Sequence, residues 1–369
     1  MIFRKLPRQQ NNDVALNNYI NKDLQSVLRP LDLMQNIFFL SKYSIRNNFI
    51  TPNSICYNCI SIFCAIFCLS FLTSVFINFG FKHSWSSLFL AIALRIFYQF
   101  FSCILGYIIN IISNIIHNKD NVLLLIKIQH VHTFLKMDGN HYRSLLIFNW
   151  TSVVVLNCLY IVERIDFQFG FALDRIPEYM VAYPSVLFEI NIVYATLIIK
   201  LLRKMLDLWM ETVKTPAING DSEIYWREAM KVFSNILEAY ELFKKTFRLI
   251  LTFCTLYIVS YSLMAVSITL QFKTVQDDVF IFIMTYGQWL AKTIFLFGFF
   301  CNECEKFYDI LNETQGLKML FLRTREYSAS FKKMSAYGLF VVDATLPLQL
   351  AGIISTYTIT QIQLELTMT

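Results

Sequence analysis

Apolar residues in this chain gather into seven long runs, at roughly 54–80, 85–117, 144–165, 179–202, 247–271, 279–301 and 337–366. Each supplies the roughly 20 apolar residues with which a helix crosses about 30 Å of hydrocarbon. The pattern predicts an all-α membrane protein with seven transmembrane helices. The links after runs one and five are short, of about four and about seven residues, whereas those after runs two, four and six are long.

The long links carry patterns of their own. Beyond run four, Leu201, Met205, Leu208 and Trp209 continue at helical spacing past the membrane boundary. Pro216 and Asn219-Gly220 then signal a turn, and Asp221 or Ser222 suits a helix N-cap. Trp226, Met230, Phe233, Leu237, Tyr240 and Phe243 follow as an apolar stripe, unbroken into run five. One helix over 222–271 is expected, about 75 Å long at 1.5 Å per residue. Phe307, Leu311, Leu317, Leu320 and Phe321 form a second stripe. Two such stripes need partners, so a bundle built from the inner extensions of runs four to seven is preferred over one helix lying on the membrane surface. The organisation expected is an N-terminal segment (1–53), spans one to four (54–202), a helical extension (203–246), spans five and six (247–301), an anchor helix (302–336) and span seven (337–366).

Charge supplies the orientation. Of 32 Lys and Arg residues, 26 fall on the face that bears the N-terminus. The other face holds Lys82, Arg164, Arg175 and Lys273, while Arg95 and Lys292 lie inside runs. Basic loops stay in the cytoplasm, which places the N-terminus inside and the C-terminus outside. At 56% apolar and 16% charged residues, the chain is too hydrophobic for a soluble globule of its length. Its first ~50 residues are polar, so the first span is expected to direct insertion without a cleaved leader. Two glycosylation sequons, at Asn149 and Asn312, fall in a span and on the inner face, where no sugar is expected.

Enzymatic constellations and nucleic-acid motifs are missing, and no cofactor is implied. The Cys56/Cys59 and Cys301/Cys304 spacings could hold zinc only if brought together as thiolates, and read instead as packing. His130 and His132 are expected on a solvated loop. The ionisable residues inside the runs say more, because each costs several kcal/mol unless paired or wetted. Arg95, Glu189 and Lys292 lie at similar depths, so Glu189 is expected to pair with Arg95 or Lys292. Polar and aromatic side chains share the outer halves of these runs, among them Tyr98, Tyr183, Asn191, Tyr257, Tyr261, Gln288 and Trp289. A mostly apolar pocket with a few polar contacts suits a small organic ligand. The candidate ligand set is Arg95, Tyr98, Tyr183, Glu189, Tyr261, Gln288, Trp289 and Lys292.

The last run ends Thr356-Tyr357-Thr358-Ile359-Thr360-Gln361-Ile362-Gln363-Leu364. This stretch resembles the Thr-Tyr-x5-Gln-Phe signature of insect gustatory receptors, with Thr356, Tyr357 and Gln363 in place. Leu364 stands where Phe is usual, and Thr360 and Gln361 are more polar than the family's run. Chain length, seven runs and an inner N-terminus extend the resemblance over the whole chain. It implies a ligand-gated, non-selective cation channel in the plasma membrane, assembled as a homotetramer or as a heteromer with related receptors. Span seven of each subunit would line the pore, with Thr356, Tyr357, Thr360, Gln363, Leu364 and Glu365 at the gate. Its partners would be a small-molecule tastant (a bitter plant compound rather than a sugar), cations and membrane lipid. Two alternatives differ in class. A seven-span G-protein-coupled receptor needs the N-terminus outside and its own Asp-Arg-Tyr or Asn-Pro-x-x-Tyr pattern; a multispan transporter wants paired broken helices.

Overall fold

The computed structural model describes residues 18–82, 87–135, 139–166, 186–214, 222–271, 276–316 and 331–368. Among them stand nine helices and one hairpin. In chain order these are α1 (Lys22–Ile37), β1 (Ser44–Arg46), β2 (Phe49–Thr51), α2 (Ile55–Lys82), α3 (Ser87–Ile116) and α4 (Asn118–Leu135). They continue with α5 (Gly139–Asp166), α6 (Val186–Lys214), α7 (Ser222–Gln271), α8 (Gln276–Gly316) and α9 (Leu346–Met368). The seven apolar runs fall on α2, α3, α5, α6, α7, α8 and α9. By length and composition, His141–Val162 and Tyr225–Ser267 can each cross a membrane, as can Phe100–Ile116 with Asn118–Leu135 if that pair, bent by 67°, is one span.

Helix α6 is the centre of the bundle: every residue from Val186 to Ile199 is buried, and it packs against α5, α7 and α8. Helix α7 is a single rod of 50 residues beginning at Ser222. Its continuity follows from a buried stripe at i+3 and i+4 spacing, through Val232, Phe233, Ile236, Tyr240, Phe243 and Phe247. In the first half of α7 the stripe packs within its own chain. Trp209 of α6 lies 4.6 Å from Phe233 between ring centroids, and its indole N–H donates to the Ala229 carbonyl at 2.7 Å. Tyr240 stacks on Phe307 of α8 at 5.0 Å. The Tyr308 hydroxyl accepts from Tyr240 and donates to the Val342 carbonyl, each at 3.2 Å. The extensions of α6, α7 and α8 thus form a bundle, and the segment before α9 closes it.

Three features depart from the sequence reading. The last run does not begin a helix at 337. Tyr337 and Gly338 take φ of 52° and 84°, and a bridge pairs Ser335 with Val341. Asp343 then accepts from the Thr345 N–H at 3.0 Å and hydroxyl at 2.7 Å, so helix α9 starts only at Leu346, with Pro347 in a first turn that needs no donor there. Asp343 therefore lies outside it.

His130 and His132 sit on helix α4, not on a solvated loop. Val122, Leu125, Ile128 and Val131 bury one side of α4, and His132, itself buried, meets Tyr142 edge-on at 5.0 Å. Finally, the N-terminal segment contains α1 and the β1–β2 hairpin, which pairs Ser44 with Thr51 and Arg46 with Phe49. The sequon residue Asn149 is structural: its amide donates to the Val27 carbonyl at 2.7 Å.

The link after α1 is held under the bundle by polar contacts. Tyr107 donates to the Phe38 carbonyl at 2.6 Å and Asn114 to the Leu40 carbonyl at 2.7 Å. Lys42 is 2% exposed; its ammonium donates to Asn114 Oδ1 at 3.3 Å and lies 5.0 Å from the Phe247 ring centroid. Burial disfavours its charge and lowers its pKa to about 7, although the aromatic face favours the cation.

Candidate ligand site and pore helix

Of the candidate ligand residues, Tyr98, Glu189, Tyr261, Trp289 and Lys292 lie where α3, α6, α7 and α8 meet. Lys292 of α8 donates to Glu189 Oε1 of α6 at 2.8 Å, with side chains 12% and 9% exposed. Of the two partners open to Glu189, the structure brings Lys292. The side chain of Arg95 and all of Tyr183 lie outside the described residues. Removing one member of a pair this buried leaves an uncompensated charge, a cost of about 3–5 kcal/mol.

One turn before Lys292, Trp289 packs on two rings of α7: Tyr261 at 4.3 Å and Tyr257 at 5.8 Å between centroids. Tyr98 of α3 closes a third side, 6.2 Å from Tyr261, and its hydroxyl bonds to that of Ser260. Gln288 is exposed on the flank of α8. A residue next to Trp289 projects about 100° away from it on a helix, so the pairing of the two in one pocket is not seen.

Sequence reasoning missed Phe188 and Phe253. Phe188, adjacent to Glu189, meets Tyr257 at 5.7 Å and Phe253 at 5.2 Å, extending the ring cluster toward α3. The signal was present in Gly106: a Cβ there would stand 2.2 Å from Phe188 Cζ and 2.7 Å from Phe253 Cε1. The helices approach closely only because that side chain is absent. Deeper still, Asn191 donates to Asn110 Oδ1 at 2.9 Å, tying α6 to α3 beneath the cluster.

Helix α9 packs against α7 and α8. Of the signature residues, Tyr357 turns inward and its hydroxyl bonds to that of Ser267 on α7 at 3.1 Å. Gly352, Ser355, Thr356, Ile359, Thr360 and Gln363 are exposed, and their spacing places them on one face. Thr360 satisfies itself by donating to the Thr356 carbonyl at 2.9 Å, as hydroxyls on helices do. Leu364 is 46% exposed beside this face; the side chain of Glu365 lies outside the described residues. Among the described residues no cluster of metal ligands occurs. Burial pushes the Cys304 thiol well above its ordinary range, against the thiolate that zinc requires.

No family model and no curated protein matches the chain. A solved structure does: the insect olfactory receptor OR5 from Machilis hrabei, at a TM-score of 0.59 and 13% identity, over 92% of this chain and 98% of that one. The chain has the fold of an insect olfactory receptor. The likeness extends over nearly the whole of both chains.

Proposed function

We propose that this protein is a gustatory-receptor-like, ligand-gated, non-selective cation channel of the plasma membrane, with seven spans, a cytoplasmic N-terminus and an extracellular C-terminus. Four subunits, identical or with related receptors, would surround a pore lined by α9. The ligand is a small organic tastant, a bitter plant compound rather than a sugar, held among Tyr98, Tyr257, Tyr261 and Trp289 above the Glu189–Lys292 pair. No catalytic step enters this reading.

The observation that carries it is the exposed face of α9, on which polar side chains outnumber the one aliphatic, Ile359. Ser355, Thr356, Thr360 and Gln363 are exposed along one face, and polar side chains at membrane depth face water or protein, not lipid. A water-filled axis shared by several copies supplies that environment. The receptor fold and the retained Thr356, Tyr357 and Gln363 support the same reading.

Whole-cell current during a screen of small organic compounds tests it, and a well-expressed chain that passes none removes it. At the gate, four copies of Leu364 would form an apolar ring able to close a pore by dewetting, and four of Glu365 an acidic ring that gathers cations. Leu364→Ala is expected to raise current without ligand, and Glu365→Lys to shift the reversal potential towards anions under sodium and chloride gradients. Unchanged basal current and selectivity in both variants would place the gate elsewhere.

A further inference from the structure

A groove of ≈ 800 Å³ lies away from the ring cluster, where α1 and the hairpin meet α5. Its α1 wall carries Lys22, Ser26, Arg29 and Leu33, and its α5 wall carries Leu146 and Trp150. The α1 residues recur at intervals of three and four, so they share one face of that helix. Lys22 and Arg29 are exposed, and neither is ion-paired to a carboxylate among the described residues. They stand two turns apart, about 10 Å along the helix, a separation that their long side chains can close over one phosphodiester. Asp32 also lines the groove, but its carboxylate is engaged by the Ser41 hydroxyl at 2.6 Å and the Asn36 amide at 3.1 Å.

The α5 wall of the groove is apolar and lies on a stretch long and apolar enough to cross a membrane. Trp150 is nine residues into His141–Val162, about 13 Å along the axis. It is 43% exposed, between Ile147 at 58% and Val154 at 55%. Leu33 and Ile37 extend the exposed apolar surface on α1. One groove thus sets two basic groups on its α1 wall beside a tryptophan and aliphatic surface on its α5 wall. That is the polarity of a phospholipid. Basic groups close to a bilayer attract anionic headgroups.

We infer that this groove is a binding site for an anionic phospholipid, its phosphate held by Lys22 and Arg29 and its acyl chains laid along Leu33, Leu146 and Trp150. The inference rests on α5 crossing the membrane, as in the proposed function, which also assigns the lipid to the inner leaflet; it does not depend on gating. The chain has five tryptophans, so the difference between wild type and Trp150→Phe isolates the Trp150 fluorescence.

The full chain is reconstituted in nanodiscs of phosphatidylcholine containing increasing fractions of brominated phosphatidylglycerol or brominated phosphatidylcholine. The Trp150 component should be half-quenched at an about fivefold lower mole fraction of the anionic lipid, the effect of about one basic contact. Lys22→Gln with Arg29→Gln should remove that preference and leave quenching by brominated phosphatidylcholine unchanged, which also shows that the fold persists. Equal quenching by the two lipids in the wild type, or a preference that survives the double substitution, overturns the proposal. So does loss of the preference in millimolar inorganic phosphate but not in sodium chloride of equal ionic strength, which would mark a soluble-anion site. If neither lipid quenches Trp150, α5 is not in the bilayer and the membrane reading falls as well. A preserved preference in a chain that passes no ligand-gated current overturns the channel reading alone.

Discussion

Trp289 joins the two helices on which the candidate ligand site depends, through its contacts with Tyr257 and Tyr261. Its indole is partly exposed, so a ligand can displace solvent from it without unfolding the core. Trp289→Ala should weaken the agonist response by about tenfold or more, about 1.4 kcal/mol, at normal surface expression; an unshifted dose-response curve would take Trp289 out of the site. Lys42 makes a pH prediction. Its pKa of about 7 lies below the ordinary lysine value of about 10.4, so between these pH values the unfolded chain binds more protons than the folded one. Stability should therefore rise as pH increases from about 7 towards 10, with the full penalty present below 7. Lys42→Met should flatten that rise, as followed by thermal unfolding in detergent at several pH values, and equal slopes in the two proteins would refute it. What the sequence could reveal at this scale was the charge: a lone Glu189 inside an apolar run needs a partner, and Lys292 was at the right depth. Phe188 and Lys42 were hidden for opposite reasons, one being an ordinary apolar residue and the other an ordinary basic residue in a polar segment whose fold was not read.

Among the elements, α7 was legible because every local signal agreed. A turn at Pro216 and Asn219-Gly220, a cap at Asp221 or Ser222 and an unbroken stripe left only one continuation, and the helix runs from Ser222 to Gln271. Helix α9 was over-extended because hydropathy does not register a turn. Ser335 to Val342 reads as apolar, yet its bonds are those of a small bridged turn and an Asx-type cap. Helix α4 was passed over for the converse reason. Its basic and His residues suggested a solvated link, while Val122, Leu125, Ile128 and Val131 already stood at helical spacing. The signature Tyr357 has a structural role that the motif alone does not supply: its hydroxyl bonds to that of Ser267 on α7. That contact sets α9 against the helix that carries Tyr257 and Tyr261.

The whole molecule places the ring cluster and the inner bundle on one element, since Tyr257, Tyr261, Phe233 and Tyr240 all belong to α7. Seven apolar runs and their alternating links were enough to anticipate a receptor-type fold, which the likeness to the Machilis hrabei receptor bears out as a fold; the inner packing depended on contacts between distant segments. In the proposed channel the long rod would act as a seesaw. Phe247, buried near its middle against Tyr194 and Phe243, is the natural fulcrum. Tyr261 lies about 21 Å above it and Phe233 about 21 Å below it at 1.5 Å per residue. Arms of equal length would give no amplification: a 1 Å displacement of the rings by a ligand would return as about 1 Å in the opposite direction at the far bundle. Such a device works only while the beam is stiff. Glu241→Pro, at an exposed position between fulcrum and bundle, breaks the beam by removing a backbone hydrogen bond and bending the helix. Agonist-induced quenching of Trp289 fluorescence should survive that break while the agonist current is lost, and a current of wild-type size would mean that the two ends of α7 do not move as one body.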